Sequence, residues 1–333
     1  MISENNILDT LEILPGTQTN ITIHDRPITD VRFNKDGDLL FSASKDASVC
    51  LIRPEGQIVG TFDGHIGSIQ SIDMTEDSTK LVSGGADKSL LFWDVNSGEK
   101  LTHIKYENVV RSVSYVNDNL VLISCDDTFQ KKPFLGLVDS RSFETIKQIN
   151  LKAVPTKAIS HFSQNYIVFS DIEGHVHMLD IRTGDEILCK KAHTSRINSL
   201  RNSFCKSFFV TASDDAQTKI IDYNDLNEVK SFVSQDPINS AAIFRTNDKI
   251  ICGGGITARD VATTRIKSNF TVNVYDIVTT EHVGSYLTHF GTINCIDVHP
   301  TSSCYASGGE EGIVCIVNFG DDFDEAPFTF FDE

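Results

Sequence analysis

The chain has 333 residues, 40% of them hydrophobic, with 29 basic against 46 acidic residues and a formal net charge of −17. That acidity argues against gripping duplex nucleic acid through its phosphates, and no apolar run reaches the ~18 residues of a membrane span. The N-terminus has no basic region followed by an apolar stretch, so no secretory signal is expected and the expected location is the cytoplasm.

Residues 1–17 read as an extension, polar apart from Ile7, Leu8 and the run Leu11 to Leu14. Ile21-Thr22-Ile23 then alternates like a strand, and from His24 onward a unit returns about every 41 residues. Its clearest copy runs from Gly64-His65 to S-G-G-A-D-K-S-L-L-F-W-D, Ser83 to Asp94. A Gly/Asp-His turn leads into a β-rich stretch, a Ser/Thr-Gly/Ala strand end, an Asp in a tight turn, and an apolar strand closing on Trp-Asp. His24, His65, His193 and His289 head four units. Turn acids in the same frame are Asp46, Asp87, Asp127, Glu173, Asp215 and Glu311, with gaps of 41, 40, 46, 42 and 96 residues. The last gap holds two units if one carries an insertion. Six residues beyond the acids, apolar strands end at Ile52, Trp93, Leu179, Ile221 and Val317.

A period of ~40–45 residues with four strands per unit is that of WD-repeat propellers. The expected fold is therefore all-β, a seven-bladed β-propeller over residues 18–319, followed by an acidic aromatic tail over 320–333. In such a ring the N-terminal strand completes the last blade and removes the exposed sheet edges. Residues about 18–24 are expected to pair with the strand around 313–319.

Within an intact unit, His65, Ser83, Asp87 and Trp93 are spaced to form one chain of hydrogen bonds. The carboxylate accepts from the imidazole, and the buried indole N–H needs an acceptor. An isolated His/Ser/Asp set would suggest a catalytic triad. Here the set recurs with the period of the fold, so it reads as framework, and no catalytic residue is assigned.

Four further features of the sequence each have a plainer reading than a functional one. The eight cysteines contain no C-x-x-C pair, so they read as buried free thiols rather than a zinc or disulfide frame. His175 and His177 share one strand face and could begin a metal site, but no further ligand lies nearby in sequence, and ordinary strand residues are expected. The triple glycine Gly253-Gly254-Gly255 lacks the spacing of a phosphate cradle and reads as a strand end needing positive φ or close backbone approach. In the third unit, Gln130 to Phe134 interrupts the turn with a proline that a central strand would not hold. No cofactor and no metal are expected.

Charge is also unevenly placed. After Lys267 there is no Lys or Arg, while residues 268–333 hold eleven Asp or Glu. A field of one sign at the last blade and tail could steer a basic partner segment.

The sixth unit carries an insertion from Gly253 to about Asn269, and there the chain resembles a particular family. C-G-G-G-I-T-A-R-D-V-A-T-T, Cys252 to Thr264, is similar to G-G-G-Q-E-A-x-D-V-T-T-T of subunit i of eukaryotic translation initiation factor three. R-P-I-T-D-V-R-F-N-K-D-G-D-L-L-F from Arg26, H-F-G-T-I-N from His289 and S-G-G-E-E-G from Ser307 resemble its first and last blades. D-P-I-N-S-A-A-I, Asp236 to Ile243, resembles the start of its sixth. The chain departs from the family after the insertion, reading K-S-N-F-T-V-N-V-Y-D where the family has G-K-F-E-A-R-F, and its tail is more acidic. The resemblance implies a non-catalytic scaffold that grips the C-terminal helical segment of the b subunit, contacts the g subunit, and acts indirectly on the small ribosomal subunit. It places the b-subunit contact on blades five and six, where Asp222 and Asp236 are the candidate partner-binding acids. Each also has a plainer reading, as a turn acid capping a local backbone N–H. The alternative is a generic WD-repeat adaptor, of the mRNA-processing or ubiquitin-ligase receptor kind, which need not contain the glycine-led segment.

Overall fold

The structure, a computed structural model, describes residues 12–256 and 270–320. It contains seven four-stranded antiparallel sheets. Six are sequential meanders: Ile28–Asp63, Ile69–Lys105, Val110–Asn150, Pro155–Lys191, Ile197–Val233 and Ile238–Leu287. The seventh combines Ile293–Phe319 with the N-terminal strand Gly16–Thr22. That strand pairs in register from Gly16↔Phe319 to Thr22↔Ile313, closing the ring as the repeat predicts. Residues just before it also pack: Leu14 N–H donates to Ser285 O, and Ser285 N–H donates to Glu12 O, on the outer strand of blade six. The first eleven residues, the tail from Asp321 and most of the blade-six insertion lie outside the described residues.

Burial explains the composition of the strands. In blade two, Lys80–Gly85 and Ser89–Asp94 are almost wholly buried, because both faces of a middle strand are covered by neighbouring blades. The outer strand Lys100–Lys105 alternates between exposed and half-buried residues and carries the charge. The apolar core is accordingly a set of seams between blades rather than one centre. Phe41, Val49 and Leu51 of blade one, for example, pack against Ile72, Leu81 and Trp93 of blade two. Phe62 adds an edge-on contact to Trp93 at 5.7 Å between centroids.

Every innermost strand slips register after its first residue. The extra residue of such a bulge is left out of the ladder. Here the seven extra residues are Thr29, Gln70, Arg111, Thr156, Asn198, Asn239 and Asn294, and all seven line one mouth of the central channel. Five lace neighbouring blades together: Arg111 Nη1–H donates to Gln70 Oε1 at 3.1 Å, and three asparagines reach the next blade. Asn198, Asn239 and Asn294 each donate from Nδ2 to the carbonyl of Ile238, Ile293 and Ile28, the first strand residue of the next blade.

Candidate functional site

The proposed framework forms in blade two. Trp93 Nε1–H donates to Ser83 Oγ at 2.9 Å, and Ser83 lies 2.8 Å from His65 Nε2. His65 Nδ1 meets Asp87 Oδ2 at 3.0 Å, and the carboxylate also accepts from the backbone N–H of Ile66 and Ser89. Burial pushes the Asp87 carboxyl up, but the bonds from His65, Ile66 and Ser89 outweigh it and bring it to about 2. The same arrangement recurs as His24–Asp46–Ser42, His193–Asp215–Thr211 and His289–Glu311–Ser307. In each of these the acid is held below its ordinary range against the upward push of burial.

Blades three and four depart from the expected frame. Four residues before the first residue of each inner strand stand His24, His65, Tyr106, Leu151, His193, Ser234 and His289. Without the head imidazole, a carboxylate at the next turn loses its side-chain donor. Asp127 only precedes a short 3₁₀ turn, Thr128–Gln130, and makes no side-chain cap there. Its neighbour Asp126 takes the acid role, accepting from Arg111 Nε at 2.6 Å and from Thr128 N–H at 3.0 Å. Glu173 gives way in the same manner to Asp171, which accepts from the backbone N–H of Glu173 and His175. Pro133 stands just before the strand Phe134–Asp139 rather than within it.

The glycines of blade six are needed for space and φ. A Cβ on Gly254 would lie 2.1 Å from Pro237 O, and Gly255 has φ +128°. Together with Asp236, Pro237, Tyr275 and His282 they line a recess where the insertion leaves the blade. Six cysteines are buried, as expected, but Cys189 and Cys205 are exposed.

Asp222 and Asp236 are not brought together. The strand Gln217–Asp222 pairs with Glu228–Val233 so that Gln217 faces Val233 and Ile221 faces Glu228. Asp236 follows Val233, so it lies at the Gln217 end, about one six-residue strand length (~17–20 Å) from Asp222. Asp222 accepts from Asn224 N–H at 2.6 Å and Nδ2–H at 2.9 Å, so it does serve as a turn cap. Between the two acids runs an outer strand that presents Val229 and Val233 to solvent, with Val278 of blade six exposed nearby, where Lys230 Nζ reaches its carbonyl.

One cluster had no sequence signal at all. In the channel, buried Arg201 bridges Asp30 at 3.2 Å and Asp297 at 3.1 Å, joining blades five, one and seven. Burial pushes Asp30 up, yet Arg32, Lys157 and Arg201 hold it below the usual carboxylate range. Asp73 and Asp297 are raised by the same burial, and Lys157 is lowered by it. These residues are far apart in sequence and meet only when the ring closes.

Ring, repeat and buried networks define the class: a seven-bladed WD-repeat propeller. The β-propeller domain of Cps50 (Swd1) from Myceliophteria thermophila has this fold, with a TM-score of 0.77 at 17% identity, over 91% of this chain and all of that domain. Sequence comparison is more specific. The family model EIF3I matches residues 19–330. Eukaryotic translation initiation factor 3 subunit I of Brugia malayi is 35% identical over 320 residues, 92% of this chain and 98% of its own. Its counterpart in Aspergillus terreus is 34% identical over 313 residues, 89% of this chain and 92% of its own. The chain belongs to the EIF3I family.

Proposed function

We propose that the chain is a non-catalytic scaffold subunit of eukaryotic translation initiation factor three, acting in the cytoplasm. It binds the b and g subunits and supports initiation on the small ribosomal subunit through them. The observation that carries this reading is the family match, which spans the whole ring rather than a single blade. The chemistry of the repeats supports it. Ser83 and its equivalents Ser42, Thr211 and Ser307 are wholly buried beneath the strands, so their hydroxyls hold histidines and reach no substrate.

The docking surface fits the rim of blades five and six. A helix laid along the outer strand of blade five would cover Val229 and Val233 while its ends approach Asp222 and Asp236. A span of ~17 Å corresponds to about eleven helical residues. Such a helix would be basic near its ends and apolar on the face towards the rim.

The test is what co-purifies with the tagged full chain from its own cells. The reading expects the initiation factor subunits, b and g among them, in stoichiometric amounts. Recovery of a different complex, with those subunits missing, overturns it.

A further inference from the structure

Blade four, which lacks the His–acid frame, uses its histidines differently. His177 is 7% exposed, and its ring stacks on Phe169 at 4.4 Å with the planes 4° apart. Its Nε2–H donates to Asp171 Oδ2 at 3.2 Å, and the two backbone N–H groups that donate to Asp171 fix that carboxylate. The tautomer is thereby set, and the Nδ1 lone pair is left over. Nδ1 is buried and has no hydrogen-bond partner.

Nδ1 faces two groups on the adjacent outer strand. Cys189 is paired directly across from His177. Glu186 lies three residues before Cys189, so in a regular strand the two would point to opposite faces. A bulge at Ile187, where Met178 pairs with Leu188 but Leu179 pairs with Glu186, restores them to one side. Glu186 Oε2 sits 3.6 Å from His177 Nδ1, too long for a hydrogen bond. The donor atoms of His177, Glu186 and Cys189 all lie within 4.8 Å of one another.

We propose that His177 Nδ1, the Glu186 carboxylate and the Cys189 thiolate form a binding site for a divalent transition-metal ion, Zn²⁺ first among them. Ligands on a tetrahedral zinc at ~2.1 Å stand roughly 3.4 Å apart, close to the 3.6 Å found here. One nitrogen, one oxygen and one sulfur suit zinc and exclude the oxygen-only preference of calcium and magnesium. A carboxylate on the far nitrogen of a ligating histidine orients the ring and raises its basicity, and Asp171 occupies that position. Three protein ligands leave the fourth position to water. Binding transfers the thiol proton of Cys189 to solvent, so affinity rises with pH.

The test is titration of the metal-stripped full chain with Zn²⁺ and with Co²⁺. The proposal expects one equivalent bound, a raised Tm, and a thiolate-to-metal charge-transfer band in the Co²⁺ complex. Cys189→Ser should abolish the band, and Glu186→Gln should weaken binding by about tenfold or more. Cys205→Ser, which removes the other exposed thiol, should change neither. Because Cys189 and Glu186 are exposed, their variants keep the fold, checked by circular dichroism, whereas a His177 variant would also disturb packing. A wild-type chain that gives no charge-transfer band, or equal affinity in Cys189→Ser, overturns the site and leaves His177 Nδ1 to be satisfied by water.

Discussion

Blades two and four are built from the same four strands, yet they hold the turn between the second and third by different means. Where blade two has His65, Ser83, Gly85 and Trp93, blade four has Leu151, Phe169, Asp171 and Leu179. Blade two buries a relay in which indole, hydroxyl, imidazole and carboxylate satisfy one another in turn. Blade four fills the serine position with an aromatic ring and the indole position with Leu179, which is 3% exposed. Both blades form, so the polar relay is not what makes a blade. The apolar seams do that, and each blade contributes to two of them. The relay satisfies its buried donors and ties the turn to the strands. Where it is missing, polar side chains such as His177 and Asp171 are available for other uses.

The largest effect is expected away from both kinds of turn, in the channel that they share. Arg201→Ala leaves Asp30 and Asp297 buried without their bridging guanidinium, and a loss of about 3–5 kcal/mol is expected in denaturant unfolding. A loss no greater than that of a surface substitution would mean the channel charges are solvated, and ring closure rests on the seams alone.

Next come the turn acids. Asp87→Ala should cost about 1–3 kcal/mol by leaving a buried donor unpaired, whereas Asp127→Ala and Glu173→Ala should stay within about 0.5 kcal/mol. Equal losses at all three would show that the relay has no special weight. The pH dependence carries a sign. Asp87 is depressed from 3.8 to about 2 on folding, so its contribution is fully present above pH 3.8 and is lost as pH falls towards 2. Stability of Asp87→Asn should therefore fall less steeply than wild type across that window.

The period, the seven blades and the ring closure were legible in the sequence because they depend on local turn chemistry and on apolar alternation. Head histidines separated from their acids by 22 residues are such a signal. The repeat count places the acids of blades three and four at Asp127 and Glu173. The structure moves the role to Asp126 and Asp171, since the imidazole that defines the frame is missing there. The channel bridge of Arg201 was not legible, because it joins residues more than 90 positions apart that only closure brings together. The second and third donors of the proposed site, Glu186 and Cys189, were hidden for a smaller reason: one bulged residue changes which side of a strand Glu186 faces.

The smallest expected change in stability goes with the sharpest change in function. Asp222→Asn keeps the acceptor for Asn224 N–H while deleting the charge, and Asp236→Asn deletes the second. The decisive measurement is calorimetric titration of the b subunit's C-terminal segment into the wild-type chain, the Asp222→Asn/Asp236→Asn variant and Asp87→Ala. If the framework blades supply stability and the rim of blades five and six supplies binding, the rim variant loses affinity on the order of tenfold at unchanged Tm. Asp87→Ala then loses Tm at unchanged affinity. Unaltered affinity in the rim variant, or a matching loss in Asp87→Ala, would contradict that division.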